Sequence, residues 1–134
     1  MKEKAELVLG WLRKAQSDGV ALDVTLRARA LDAACFHAQQ AVEKYLKAFL
    51  THHEATFPYT HNLSKLVELC IAIDPDFRSL LPQAESLTPY AVRPRYDASF
   101  WPSQEAAEAA QSSALAVREF VLHRMPDDIK KATE

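Results

Sequence analysis

Apolar residues recur along most of this chain at three- and four-residue steps, the spacing that aligns side chains on one face of an α-helix. The clearest case runs from Ala34 to Leu50. At ~100° per residue, Ala34, Ala38, Ala41, Val42, Tyr45, Leu46, Ala48 and Phe49 fill one half of that helix, and His37, Gln39, Gln40, Glu43, Lys44 and Lys47 fill the other. The spacing predicts a helix from about Leu31 to His53. Upstream, Leu7, Val8, Trp11, Leu12, Ala15 and Leu22 predict a first helix from about Glu3 to Arg29, with Ser17-Asp18-Gly19 as the place where it bends or breaks. Pro58 and Thr60 supply a turn and an N-cap for a third helix, Asn62 to about Ile73, which Asp74-Pro75 ends. A short helix over Asp76 to Leu81 and another over Gln83 to Val92 precede Pro94. Ser103 caps the last one, Gln104 to about Arg124, whose stripe is Ala107, Ala110, Ala114, Val117 and Val121. The charged tail, Pro126 to Glu134, is expected to fray.

Length and composition turn this pattern into a fold class. A chain of 134 residues suits one domain with a single core. With 49% hydrophobic residues and only 2 glycines, good helix formers dominate over turn formers. The expectation is an all-α, compact bundle of about five helices over residues 1–125, followed by the tail 126–134. A net charge of −2 excludes whole-surface attraction to nucleic acid and leaves only a local patch. Cys35 and Cys70 are too few for a disulfide framework and sit in apolar helical contexts, which points to a reducing compartment. The stretch Met1 to Glu6 lacks the apolar core of a signal peptide, and no apolar run approaches the ~20 residues that span a bilayer. A soluble, cytoplasmic protein without membrane contact is expected.

Two places carry candidate chemistry. The segment Pro89 to Pro102 brings Arg93 and Arg95 among Tyr90, Tyr96, Phe100 and Trp101, a mixture suited to phosphate pairing and base stacking. The same residues would serve to seal the bundle end, to line a dimer interface, or to clamp the segment to a carboxylate such as Glu43. The second place is the polar half of helix two. There Lys44 and Lys47 meet a phosphate as point charges, while His37 and Gln40 read a neighbouring polar group. Its ordinary alternative is a solvated face on which Glu43 and Lys47 form an i,i+4 pair. His61 stands at a helix start, where it either approaches an anion or bonds a backbone carbonyl. His52 and His53 point ~100° apart on a helix, so no metal is expected there. No nucleophile–base set is legible around Ser64, Ser79, Ser86 or Ser99, and no cofactor is called for.

The wording of helix two narrows these options. Phe36-His37-Ala38-Gln39-Gln40-Ala41, followed by Glu43-Lys44 and Leu46-Lys47-Ala48, resembles the second helix of the HEPN family, small helical domains named for nucleotide binding. Thr60-His61-Asn62-Leu63 and the pair Arg95-Tyr96 match further pieces in the right order. The resemblance implies an up-and-down helical arrangement, homodimerisation and association with nucleotides or RNA. RNA-cleaving members carry an arginine, a spacer of about four to six residues and a histidine near the helix after this segment. At those distances Arg93 meets Ala98, Ser99 and Phe100, and Arg95 meets Phe100, Trp101 and Pro102. A literal match, Arg118 to His123, lies late in the last helix, where five residues turn by ~140°; its side chains are expected to diverge and the match to be coincidental.

The resemblance therefore points to the branch lacking the nuclease motif, whose members pair with a minimal nucleotidyltransferase in two-component, toxin–antitoxin-like systems. On that reading His37, Gln40, Glu43, Lys44, Lys47, His61, Arg93 and Arg95 are candidate ligand contacts, and Tyr96 is a candidate acceptor of adenylate. The alternatives are an RNA-cleaving toxin with a divergent site at Arg95 and Tyr96, and a structural, dimer-forming bundle without a ligand.

Overall fold

The periodicity identified above is realised in a computed structural model that describes residues 2–133, the side chain of Lys2 excepted. Met1 and Glu134, the outer ends of the expected domain and tail, lie outside the described residues. The elements are α1 (Lys2–Arg27), α2 (Leu31–His52), α3 (Leu63–Ile71), a 3-10 segment (Pro75–Leu80), α4 (Leu81–Leu87), a second 3-10 segment (Thr88–Ala91), α5 (Arg93–Tyr96), α6 (Gln104–His123) and α7 (Asp127–Ala132). The described residues contain no strand, and none of their helices is long and apolar enough to cross a membrane.

Helix α2 is the axis of the bundle. Its apolar half is buried from Ala34 to Leu50, and α1 and α6 pack along it more extensively than any other elements. Around Phe49, the rings of Phe77 and Phe120 stack in succession at centroid distances of 4.3 and 4.8 Å, joining the first 3-10 segment and α6 to the core.

Several local expectations change. Helix α1 runs unbroken through Ser17-Asp18-Gly19. Asp18 is buried there and holds two side chains of α2, so tertiary bonds offset the low helix propensity of the segment. The turn into α2 places Arg29 in the left-handed region, at φ 63°, with the Ala30 N–H closing on the Thr25 carbonyl at 2.8 Å. Asn62, not Thr60, caps α3; its Oδ1 accepts from the Lys65 N–H, and the Thr60 hydroxyl accepts from the Asn62 N–H. The helix expected over Gln83 to Val92 starts at Leu81 and tightens to a 3-10 turn from Thr88, where Pro89 removes a donor. Arg93–Tyr96 adds a helical turn that the periodicity did not indicate. The described part of the tail, Pro126 to Thr133, is packed rather than frayed. Its α7 buries Ile129, and the Gln16 side chain donates to the Thr133 carbonyl at 2.6 Å, tying the tail to α1.

Candidate functional site

The polar half of α2 is not a solvated face. Gln39, Glu43 and Lys47 are 0%, 4% and 5% exposed, because α1 and the strap from Glu54 to Asn62 cover them. Burial without partners would cost several kcal/mol per charge, and every polar end here is engaged. Glu43 accepts from Gln39 at 3.2 Å, from His61 Nδ1 at 2.8 Å and from Lys47 Nζ at 3.0 Å. Gln39 also donates to the His61 carbonyl at 3.1 Å and accepts from Gln40 at 2.6 Å. The Lys47 ammonium sits among the rings of Trp11, Phe57 and Tyr59, 5.4 to 5.9 Å from their centroids. Burial pushes the Glu43 carboxyl up, but the bonds from His61 and Lys47 and the lysine charge outweigh it and hold the group below the ordinary carboxylate value.

A second carboxylate organises the other flank. Asp18 of α1 accepts from His37 Nδ1 at 3.0 Å and pairs with Lys44. The two lysines of α2 thus each meet an acid that also holds a histidine: Lys44 with Asp18 and His37, Lys47 with Glu43 and His61. With a donor of each bond on Nδ1, both imidazoles keep Nε2 unbonded among the described residues, and both remain partly exposed. The His61 ring, just before the start of α3, is turned back to Glu43.

The segment after α4 divides into an inner and an outer set. Tyr90 and Phe100 pack together at 5.7 Å, with Phe100 buried and the Tyr90 hydroxyl beside the Cys35 thiol of α2. Tyr96 and Trp101 face outward, 73% and 74% exposed. The Arg95 guanidinium bonds the Ala91 carbonyl and lies between the rings of Phe36 and Tyr96, at 4.9 and 5.0 Å. Arg93 lies over Phe100 at 4.7 Å and beside Asp97 at 3.5 Å. Neither arginine reaches Glu43. Phe36 links the two regions, since its ring also meets His37 at 5.3 Å. The outer surface accordingly runs from Tyr96 and Arg95 through Phe36 and His37 to Gln40, while Glu43 and Lys47 stay beneath it.

Arg118 and His123 both border an open groove of about 610 Å³ between α6 and α7, together with Glu119, Arg124 and Lys130. Arg118 is engaged by Glu119, and Arg124 by Asp74 over the face of Phe120. Asp18, Gln39, Trp11, Phe57 and Tyr59 were not among the expected site residues. The signal for Asp18 was a carboxylate beside a glycine within a helix; for the rings, nothing in local spacing announces a cage assembled from two separate elements.

A HEPN domain family model matches residues 8–125. Among solved structures, the crystal structure of TT1696 from Thermus thermophilus is similar, with a TM-score of 0.74 and 23% identity over 88% of this chain and 98% of that one, a likeness that carries the fold. No curated protein matches the chain. With the family model spanning nearly the whole bundle, this chain belongs to the HEPN family, whose domains have a general nucleotide- or RNA-associated role.

Proposed function

We propose that this protein is the nucleotide- or RNA-associated subunit of a two-component, toxin–antitoxin-like pair whose other member is a minimal nucleotidyltransferase. The observation that carries the reading is the exposure of Tyr96 and Trp101 next to Arg93 and Arg95, on a segment whose other aromatics are packed inward. Large aromatics left in water beside arginines suit stacking on bases and attraction to phosphate. The Tyr96 ring lies beside the Arg95 guanidinium and is largely exposed, which leaves the phenol accessible to a second protein. In the adenylate transfer this reading assigns to the partner, the Tyr96 oxygen bonds to the α-phosphorus of a nucleoside triphosphate. The bond to the β-phosphate oxygen breaks, pyrophosphate leaves, and the phenolic proton passes to solvent.

Recovery of the protein from its own host, followed by intact-mass and peptide analysis, tests this. The expected result is a stoichiometric nucleotidyltransferase and an adenylate increment on Tyr96 that disappears in Tyr96→Phe. Unmodified protein recovered alone overturns it. Ligand contact has a separate readout: single-stranded RNA should quench tryptophan emission, and Trp101→Phe should remove the quench, because Trp11 is engaged in the Lys47 cage.

RNA cleavage is the second reading, favoured by the common groove of Arg118 and His123. It requires degradation of RNA by the purified protein that His123→Ala abolishes. A divergent site at Arg95 and Tyr96 would instead lose cleavage in Arg95→Ala.

A further inference from the structure

Where α1 and α6 meet over α2, a cleft of about 250 Å³ opens between Val20 of α1 and Leu115 of α6. The rest of its apolar lining is Leu22, Ala41 and Ala114, all buried, so its floor is the outer skin of the core. Val20 and Leu115 remain 61% and 51% exposed. Gly19 also lines the cleft, and a Cβ built there would meet nothing within 4 Å, which leaves room that a larger side chain would enter. Two of the polar side chains at the border are engaged inside the fold: Gln16 donates to the Thr133 carbonyl, and Asp23 accepts from Gln111. Arg118 differs. Its ion pair is with the adjacent Glu119, and at 39% and 71% exposure that pair is held weakly against water. The Arg118 guanidinium also stands beside the hydroxyl of Tyr45, a side chain almost wholly enclosed. A phenol and a guanidinium thus border an otherwise aliphatic cleft.

We infer that this cleft binds a small aliphatic monocarboxylate, with the carboxylate on Arg118 and Tyr45 and the chain between Val20 and Leu115. A guanidinium offers paired N–H donors that match the two oxygens of a carboxylate, and the phenol supplies a further donor. The charge of the ligand is limited by its surroundings. Asp23 lines the cleft and Asp18 acts electrostatically on Tyr45, so one negative charge is matched by Arg118 whereas a doubly charged phosphate would meet repulsion. Size follows from the volume. A water occupies ~30 Å³ of liquid, so about 250 Å³ holds on the order of ten non-hydrogen atoms, the size of octanoate. A concave apolar lining with a few converging polar groups is the general anatomy of a small-molecule site. The bound chain would also cover Val20 and Leu115, which the bundle leaves in water. Neither Tyr96 nor Trp101 borders the cleft, and it lies on the α1 side of Arg118 rather than in the groove toward α7, so the inference depends on neither functional reading.

Calorimetric titration of the full chain with octanoate, and with 1-octanol as an uncharged probe of the same chain length, tests it. Octanoate is expected to bind at one site per chain with a dissociation constant on the order of 0.1 mM, and octanol about tenfold more weakly. Arg118→Gln should remove that preference, weakening octanoate on the order of tenfold and leaving octanol unchanged. Gly19→Leu should abolish binding of both probes, because the new side chain fills the cleft. Its thermal midpoint should not fall, since leucine is the better helix former and finds open space there, and this separates blockage from unfolding. Failure of the wild type to bind octanoate overturns the inference, including the case in which a second copy of the chain covers the face. So do equal affinities for octanoate and octanol, an Arg118→Gln variant that keeps the preference, or undiminished binding by Gly19→Leu.

Discussion

Glu43 shows how a residue of α2 that resembles a surface carboxylate becomes a structural centre. Its three side-chain donors, Gln39, Lys47 and His61, come from its own helix and from the strap before α3, so the carboxylate joins two elements. Glu43→Ala should therefore destabilise by about 3–5 kcal/mol, because it leaves the Lys47 ammonium buried and unpaired. Glu43→Ala combined with Lys47→Met should cost less than the sum of the single changes, measured by urea unfolding as a double-mutant cycle. The pH dependence follows from the direction of the Glu43 shift. Its folded-state value lies below the ordinary 4.5, so the contribution is fully present above that value and is lost as pH falls through the folded one. The stability gap between wild type and Glu43→Gln should accordingly be widest near neutrality and narrow on acidification below about pH 4.5, the ordinary value. A gap that stays constant to pH 3 would show that Glu43 acts through packing alone.

Among the elements, α7 departs most from what local sequence indicated. Pro126 to Glu134 is charged and short, which reads as a tail, yet Ile129 packs into the core cluster and the Thr133 carbonyl receives Gln16 from α1. A single apolar residue among charges has no periodicity to expose it; only the groove left by α1 and α6 gives Ile129 somewhere to go. Ile129→Ala should cost about 2 kcal/mol, the low end for a large-to-small core change because the site lies at the rim, and thermal unfolding would detect it. A frayed tail would instead make the substitution neutral. The longer helices were legible for the opposite reason. In α2 and α6 the apolar spacing repeats over several turns, and Ser103 accepts the Ala106 N–H at 3.0 Å as its position before α6 predicted. At α3 the cap shifted from Thr60 to Asn62 because Thr60 is spent one step earlier, on the Asn62 N–H.

At the scale of the whole molecule, packing around α2 decides what solvent reaches. Burial pushes the Cys70 thiol up to about 12, and burial pushes Cys35 up to about 11 against the opposing effect of the Tyr90 hydroxyl beside it. Both thiols should resist a disulfide reagent at pH 8 in the native state and react together once denaturant opens the bundle. Rapid modification of either in native protein would contradict this packing. The same packing separates the candidate ligand residues into two levels. Tyr96, Arg93, Arg95, His37 and Gln40 reach the surface at least in part, whereas Glu43 and Lys47 are buried, the Lys47 ammonium among the rings of Trp11, Phe57 and Tyr59, which come from two other parts of the chain.

Taken alone, the sequence determined the helical class, the amphipathic course of α2 and the family. Each of these is written in local order: a repeat near 3.6 residues, capping residues at helix starts, and the run from Phe36 to Ala48. Tertiary structure decided which side of the polar half of α2 meets water. A helical wheel records the direction of a side chain but not what arrives opposite it, and here Asp18 and His61 arrive from 26 residues before Lys44 and 18 after Glu43. It also decided that Tyr90 and Phe100 turn inward while Tyr96 and Trp101 remain outside, because that sorting depends on the space beside Cys35 and Phe36, which exists only once α2 is packed.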